Sequence, residues 1–385
     1  MRKPKETAGS ERTRSRSVDA IAKAMEGFRP AREVLSLVKS VPTCMVQFDH
    51  AIRTGGWPIE VVAIGSGPSN HGKTVFALLL ARSFLDLGHF VLHVDAERTT
   101  PIDWVRTLVG PKADDETYFK AVRPDSYEDA VEMTRRFVTT IKKMRDDEVV
   151  PVDTSGVVIV DSLRKLTPKG FFKAATKTDE ADPMSGRGPM IKAKWNTAWM
   201  DELTPLLDST GTGFFAIARE YENPDADAWS RKMGTNVKIG GGAGIVYDSS
   251  LVVRIERSSW VAEKNEDAAD TVYGEKHRIT IKKTKVGGKD GKVTVCYFHT
   301  SNGSLVPAGH DRARDVLDLA RRFKIVETSG SWINWGKKKL GQGEHRAVVN
   351  LHADPGMLAD LEKQVRDSFA VNDPTEHDIQ TGEVT

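Results

Sequence analysis

The chain has 385 residues, enough for one large hydrophobic core and a smaller appended domain. Its 56 lysines and arginines nearly balance its 54 aspartates and glutamates, so net charge alone gives no reason to expect a polyanionic partner. Two distant cysteines, Cys44 and Cys296, lack the spacing of a disulfide scaffold or a zinc site, and no apolar stretch could span a bilayer or act as a signal peptide. A soluble protein of a reducing cytoplasm, without membrane contact, is therefore expected.

The N-terminal region divides into a tail and a short structured element. Residues 1–16 are polar and basic without periodicity, which is typical of a disordered tail. Residues 17–42 contain a helical pattern that begins at a capping Ser17, followed by a candidate strand over Val34–Val38. A lone helix and strand cannot bury both their faces, so we expect this element to dock on the core or on a neighbouring subunit.

Residues 43–300 alternate between strand and helix patterns. Uniformly apolar strands separated by helices predict an α/β core with a mostly parallel sheet buried on both faces. Antiparallel strands from Leu251 onward are expected to close this sheet. The clearest elements are the strands Phe90–Val94, Val157–Val160 and Phe214–Ile217 and the helix Tyr127–Lys143.

The last part of the chain changes in character. Residues 301–370 predict a small α/β domain, with helices over Asp311–Phe323 and Pro355–Phe369 around a short β-like element near Trp332–Trp335. Residues 371–385 hold acidic groups and neither lysine nor arginine, which predicts a disordered tail.

One turn carries the clearest chemical signal. It has the pattern G-x-x-x-x-G-K-T and lies between a β-rich run and a run of helix formers, which is the context of a phosphate-binding loop. Lys73 would reach the outer phosphates of a nucleoside triphosphate, and Thr74 would complete the oxygen shell of Mg²⁺. The alternative is a chance glycine-rich turn. The loop comprises Gly67, Pro68, Ser69, Asn70, His71, Gly72, Lys73 and Thr74.

Two acidic residues follow predicted strands and are candidates for the hydrolytic chemistry. Asp161 ends the strand Val157–Val160, where an acid could hold magnesium; a helix cap is the alternative. Glu97 follows the strand that ends at Val94, where a carboxylate could orient or deprotonate an attacking water; an ion pair with Arg98 or a neighbouring residue is the alternative.

Several motifs in order resemble the bacterial RecA recombinases over about residues 17–370. They are GPSNHGKT, the acidic DAE at 95–97, VVIVDSLRKLTPKG from 157, the pair Asn223-Pro224 with Gly241-Gly242 after it, and GSWINWGKKKLGQG from 330. The resemblance implies a RecA-like P-loop ATPase core that uses ATP and Mg²⁺, with Glu97 as the catalytic acid and Asp161 beside the metal. The divergence and the altered loops are typical of a phage-encoded or otherwise distant member.

The resemblance also assigns residues near the nucleotide. In the family two lysines reach across the subunit interface to the neighbour's ATP, and RITIKKTK from 278 places Lys283 and Lys285 there. Read without the family, alternating lysines on a strand more often form a solvated face. Trp104 or Asp103 would fill the place of the adenine contact, although Trp104 could simply be core. Tyr247 stands where an aromatic interface residue would couple subunits.

Two long polar stretches resemble the DNA-binding loops of the family. The first spans about residues 178–194 and the second about residues 222–244. Cations would contact phosphates, glycines would let backbone N–H groups approach, and an exposed Trp or Met could stack between bases. Disordered insertions are the alternative, because acidic residues dilute the positive charge. The candidates are Met184, Arg187, Lys192 and Lys194 in the first loop and Trp229, Arg231, Lys232, Lys238, Gly241 and Gly242 in the second.

One departure from the family concerns the start of the second loop. The family places a γ-phosphate-sensing glutamine there, whereas this chain has Arg219-Glu220. We assign Arg219 to the DNA-binding set, and as a cation it could also touch the γ-phosphate. The link between ATP and DNA is therefore left open by the sequence.

The resemblance implies a filament-forming, DNA-dependent ATPase that pairs single-stranded DNA with a homologous duplex and exchanges strands. Single-strand-binding protein and loading factors are further candidate partners, and a bacterial cytoplasm is the expected location. A ring-forming motor such as a RecA-fold hexameric helicase is the alternative. A third reading is a non-enzymatic DNA-coating module with a degenerate site, against which Glu97 and the intact Lys73-Thr74 argue.

Overall fold

One large sheet crosses the described part of the chain, and its strand order explains where the candidate side chains meet. The computed structural model describes residues 38–169, 171, 187–223, 225–229, 237–263, 271–299 and 306–369. Both predicted tails, the helix after Ser17 and most of the strand predicted over Val34–Val38 lie outside these residues.

The strands alternate with helices through the first part of the chain and then become consecutive. The strands are β1 (Ser40–Val41), β2 (Trp57–Pro58), β3 (Val62–Ser66), β4 (Phe90–Asp95), β5 (Phe119–Val122), β6 (Gly156–Asp161), β7 (Gly213–Ile217), β8 (Glu220–Glu222), β9 (Val237–Ile239), β10 (Leu251–Glu263), β11 (Thr271–Thr284), β12 (Val293–His299), β13 (Gly309–His310), β14 (Glu327–Ser329), β15 (Trp332–Trp335) and β16 (Lys338–Gln342).

The helices supply the crossovers between the parallel strands and most of the C-terminal part. None of those described combines the length and apolar composition needed to cross a bilayer. They are α1 (Val46–Ile52), α2 (Lys73–Asp86), α3 (Ile102–Val109), α4 (Tyr127–Asp146), α5 (Arg187–Thr210), α6 (Ala243–Asp248), α7 (Arg312–Arg322), α8 (Gly343–Ala353) and α9 (Pro355–Asp367).

The main sheet has the strand order β13-β12-β11-β10-β3-β7-β6-β4-β5 among the described residues. Every ladder from β10 to β5 is parallel, and the ladders from β13 to β10 are antiparallel. The predicted α/β class and mostly parallel sheet are thus confirmed. Because parallel strands end at the same edge, the carboxyl ends of β3, β4, β6 and β7 lie together.

Alternate residues of the central strands pack against opposite layers. On β6, Val157 and Ile159 belong to the cluster that contains α2, whereas Val158 and Val160 belong to the cluster that contains α4 and α5. All four are fully buried. This two-sided burial explains why the strand is apolar from Val157 to Val160, and it fixes the register of the carboxyl edge.

The two predicted DNA loops contain more regular structure than the sequence indicated. Helix α5 begins at Arg187, so Lys192 and Lys194 lie on a helix rather than in a loop. The second stretch begins at the last residue of β8, contains β9, which pairs with β8, and ends at the start of α6. Polar composition suggested loops, but Trp199, Leu203 and Leu207 bury one face of α5 against the sheet.

The C-terminal part also differs in detail from the sequence prediction. The short β-like element is the middle strand of a three-stranded antiparallel sheet, β14-β15-β16. Helix α8 was not predicted, since its polar residues interrupt the apolar pattern. The helices α7 and α9 match the predicted ones to within a few residues, and Val46 of α1 joins their apolar cluster.

A buried ion pair ties α9 to the start of the core. Arg366 on α9 donates from Nη1 to Oδ2 of Asp49 (2.8 Å) and from Nη2 to the carbonyl oxygen of Thr43 (2.7 Å). Burial raises the pKa of Asp49 to about 7, although the charge of Arg366 and two hydrogen bonds from Thr43 oppose this. The carboxylate therefore depends on its cationic partner.

We predict that Arg366→Met lowers the free energy of unfolding by about 3 kcal/mol, because it leaves a buried carboxyl unpaired. The loss should grow as the pH rises through 7, since Asp49 carries an uncompensated charge only when it is ionised. Urea denaturation on both sides of that pH measures this. Lys363→Met is the control, because the Lys363–Asp367 pair on the same helix is 76% and 63% exposed and its loss should change nothing measurable. Equal effects of the two variants would contradict the prediction.

Candidate nucleotide-binding site

The loop at residues 67–74 lies between β3 and α2 and is pressed against β10 and β11. Gly67 has φ +149°, and a Cβ there would lie 2.0 Å from the carbonyl oxygen of Ile255. Gly72 has φ +87°, and a Cβ there would lie 2.2 Å from the ring of His277. Both positions need glycine, for the backbone angle and for the space.

Residues of β10 and β11 contact the loop. The backbone N–H of Arg257 donates to Nδ1 of His71 (3.2 Å). Burial, and then the positive charge of Arg257, lower the pKa of His71, so the neutral ring can accept this bond. Nε2 of His277 lies 2.6 Å from Oε2 of Glu275. Sequence reasoning missed Arg257, Glu275 and His277, because each lies on a strand remote from the loop in sequence.

Lys73 folds back over the loop. Its Nζ donates to the carbonyl oxygens of Gly67 (3.0 Å) and Pro68 (2.6 Å). Burial lowers its pKa, while the charges of Asp161, Glu220 and Glu97 act in the opposite direction. A cation held at the mouth of a glycine-rich loop is placed to meet an anionic ligand.

The predicted acidic residues meet Thr74 at the carboxyl edge of the sheet. The hydroxyl of Thr74 donates to Oδ2 of Asp161 (2.6 Å), and that of Ser162 donates to Oε1 of Glu97 (2.7 Å). The backbone N–H of Glu97 donates to the carbonyl oxygen of Asp161 (3.0 Å). The sequence did not predict that Ser162 orients Glu97.

The alternative of an ion pair between Glu97 and Arg98 is not what the structure shows. Arg98 pairs instead with Asp125, at 2.8 Å. Glu97 therefore keeps its hydrogen bond with Ser162 and lies beside the loop.

The oxygen donors around Thr74 fit a hard divalent cation. Burial raises the pKa of Asp161 to about 6, and the nearby charge of Glu97 adds to this, whereas the bond from Thr74 opposes it. A hydroxyl and buried carboxylates, without sulfur or imidazole, are the donor set that Mg²⁺ prefers. Thr74 and Asp161 are the residues that could hold it.

A second network connects the end of β3 to the start of β8. Oε1 of Glu220 accepts a bond from the hydroxyl of Ser66 (2.9 Å) and from Nε of Arg254 (3.0 Å). Arg219, next to Glu220, is exposed, and its charge lowers the pKa of Lys73. The backbone N–H of Gly240 donates to the carbonyl oxygen of Arg219 (2.7 Å). Arg219 is thus bonded through its backbone to Gly240, the residue after β9, and its charge acts on Lys73 of the phosphate loop.

Lys283, Lys285 and Tyr247 lie together, away from the loop. Nζ of Lys283 donates to the carbonyl oxygens of Val246 (2.5 Å) and Tyr247 (2.9 Å), and Nζ of Lys285 donates to that of Tyr247 (3.0 Å). These are the last carbonyls of α6, where a cation is favoured. The side chain of Tyr247 is 74% exposed.

The two candidates for the adenine contact have different surroundings on α3. Trp104 is half-buried and packs against the apolar cluster of α2. Asp103 is exposed and pairs with Arg106 at 3.2 Å. The packing of Trp104 fits the alternative in which it serves mainly as core.

The described candidates for DNA contact divide into exposed and packed residues. Lys194, Lys238 and Trp229 are exposed, the last at 68%. Lys192 is half-buried, and its Nζ donates to the carbonyl oxygen of Arg164 (2.9 Å).

Gly241 and Gly242 face helix α5. A Cβ on Gly242 would lie 2.8 Å from that of Ala193, and Nδ2 of Asn196 donates to the carbonyl oxygen of Gly241 (2.9 Å). Met184, Arg231 and Lys232, the partner Pro224 of the predicted NP pair and the side chain of Arg187 lie outside the described residues.

Comparisons with known proteins point to one family. A family model described as RecA C-terminal domain matches residues 314–370. Protein RecA of Geobacter metallireducens is 25% identical over 341 residues, which cover 89% of this chain and 88% of that protein. Protein RecA of Caulobacter vibrioides is 26% identical over 331 residues (86% and 82%), and that of Acholeplasma laidlawii is 23% identical over 334 residues (86% and 88%).

We predict that Gly72→Ala destabilises the protein more than Gly88→Ala. Both glycines have similar positive φ (+87° and +78°), but a Cβ on Gly88 meets nothing within 4 Å. Gly88→Ala should cost about 1–2 kcal/mol from the backbone angle alone. Thermal denaturation measures the extra loss at Gly72, and adding His277→Ala should recover part of it. Equal losses at the two glycines would show that the packing against His277 is unimportant.

Proposed function

We propose that this chain, a divergent member of the RecA family, is an ATP-dependent recombinase of the bacterial cytoplasm. It assembles with ATP and Mg²⁺ into a helical filament on single-stranded DNA, pairs that strand with a homologous duplex and exchanges strands. The observation that supports this best is the separation of Lys283 and Lys285 from the phosphate loop: the lysines lie beside the first residues of β10, and the loop meets that strand four residues further on, at Ile255.

The residues of the site have different roles in ATP hydrolysis. Lys73 leaves the carbonyl oxygens of Gly67 and Pro68 and binds the outer phosphates of ATP instead. Thr74 and Asp161 would hold Mg²⁺, which would neutralise developing charge on the phosphates. Glu97, held by Ser162, orients the attacking water and accepts its proton.

The register of β10 supports the view that the two lysines serve a neighbouring subunit. Thr284, between the lysines, pairs with Leu251, whereas the loop touches β10 at Ile255. Four residues of strand separate these points by about 13 Å. A lysine side chain that already points to the end of α6 cannot span this distance to the phosphate loop of its own chain. In our proposal the lysines leave those carbonyls and approach the ATP of the next chain.

A site shared in this way makes assembly and hydrolysis interdependent. The loop and the lysine pair are different surfaces of one chain, so the contact between subunits is head-to-tail. A head-to-tail contact that does not close forms an open helix, and cations supplied in trans stabilise charge in the transition state. Tyr247, exposed beside the lysines, would lie in the same interface.

In our proposal the hydrogen-bond network around Glu220 couples ATP binding to DNA binding. Glu220 joins Ser66, which precedes the phosphate loop, to Arg254, and β8 begins at Glu220 itself. We propose that Arg219, at the mouth of the loop, takes part in sensing the γ-phosphate and shifts the β8–β9 hairpin. In this proposal Lys194, Lys238 and Trp229 contact single-stranded DNA through phosphate and stacking interactions.

The shared site predicts complementation between two inactive variants. Lys283→Ala should bind nucleotide but lose DNA-stimulated hydrolysis, and Glu97→Gln should also be inactive. A mixture should regain activity, because the loop of the first chain can face the lysines of the second. Phosphate release with single-stranded DNA measures this. The matched control is Lys282→Ala, the exposed neighbouring lysine on β11. A mixture no more active than its separate components would refute the shared site.

Filament formation predicts the outcome of electron microscopy with single-stranded DNA and a slowly hydrolysed ATP analogue. We expect continuous helical filaments that depend on the nucleotide, and joint molecules when a homologous duplex is added. A heterologous duplex of equal length is the control. Closed rings alone would show that the chain is a ring-forming motor.

A further inference from the structure

A cluster of potential metal ligands lies far from the phosphate loop. Cys296 on β12, His310 on β13 and Asp315 on α7 each offer a ligand atom, and these atoms lie within 4.8 Å of one another. All three side chains are buried, at 2%, 7% and 0% exposure. They join the antiparallel edge of the main sheet to the first helix of the C-terminal part.

One buried polar atom of this cluster lacks a hydrogen-bond partner among the described residues. Nε2 of His310 lies 2.9 Å from Oδ2 of Asp315. The other oxygen, Oδ1 of Asp315, is buried and has no hydrogen-bond partner among the described residues. A buried carboxylate oxygen without a partner is costly, so this site favours either a proton or a cation.

The surrounding charges favour a cation. The carboxylates of Asp318, Asp311 and Glu362 act on Asp315, and the guanidinium of Arg314 opposes them. A divalent ion would compensate the carboxylate more fully than one proton can. Mg²⁺ is excluded as the natural occupant, because the group contains sulfur and imidazole.

Cys44 supplies a fourth donor next to the same histidine. It is buried just before α1, and its thiol interacts with His310. Cys44 and Cys296, remote in sequence, belong to the same buried cluster.

We propose that Cys296, His310 and Asp315, completed by Cys44, form a structural zinc site that fastens α7 to the edge of the sheet and to the start of α1. Zinc takes four such ligands in a tetrahedron, with bonds of about 2.0–2.3 Å. Ligand atoms in that geometry are about 3.5 Å apart, so the ligand atoms of Cys296, His310 and Asp315, which lie within 4.8 Å of one another, must shift to reach it.

The test uses the full-length, tag-free protein, stripped with EDTA, kept reduced and titrated with Co²⁺ and then Zn²⁺. Wild-type protein should bind one equivalent of Co²⁺ with a thiolate-to-cobalt charge-transfer band, which Zn²⁺ abolishes. Cys296→Ser and Cys44→Ser should each weaken the band and reduce zinc affinity at least about tenfold. Zinc should also raise the melting temperature of the wild type.

Two further variants separate a metal site from simple core packing. Asp315→Asn keeps the shape and the contact with His310, so the metal-free protein should remain folded while zinc affinity falls. His352→Gln, which alters the neighbouring Asp311 contact outside the cluster, should leave the affinity unchanged. The proposal fails if wild-type protein shows no thiolate band, if the band survives both cysteine variants, or if Asp315→Asn binds zinc as the wild type does.

Discussion

Close packing of the phosphate loop on β10 is the constraint on which the candidate site depends. The loop backbone meets β10 at Ile255 and β11 at His277, so both glycines are required by contact as well as by φ. β10 extends back from Ile255 to Leu251, with a register shift against β11 between Val252 and Val253, so the same strand separates the loop from the lysine pair. One strand thus contacts the candidate nucleotide-binding loop and sets the separation of the two surfaces that the proposed shared site needs.

The carboxyl edge of the parallel sheet provides the other half of the site. β4 and β6 end side by side, with Asp95 opposite Asp161, and Glu97 and Ser162 follow them directly. Hydrogen bonds then fix the orientation of the two carboxylates: Thr74 donates to Asp161, and Ser162 donates to Glu97. The chemistry is set by strand register, and the short loops after the strands supply the final alignment.

The C-terminal part is attached to the core by polar contacts in a buried setting. Arg366 reaches Asp49 and Thr43, Asp311 accepts bonds from His299 and His352, and the cluster around Cys296 lies at the same junction. Buried ionic groups of this kind contribute little net stability but cost much when one partner is removed. They hold the two parts in one arrangement, and a bound zinc ion would do so more firmly.

The sequence by itself determined the α/β class, the phosphate loop and the two acidic residues after β4 and β6, because each of these depends on local patterns: apolar runs, glycine spacing and position at a strand end. Only the tertiary structure decided the contacts between segments remote in the chain. These include the bond of Glu220 with Arg254, the packing of His277 under Gly72, the helical setting of Lys192 and Lys194, and the burial of Cys44 and Cys296 in one cluster. Such contacts follow from strand order and register across the sheet, which no local pattern of residues encodes.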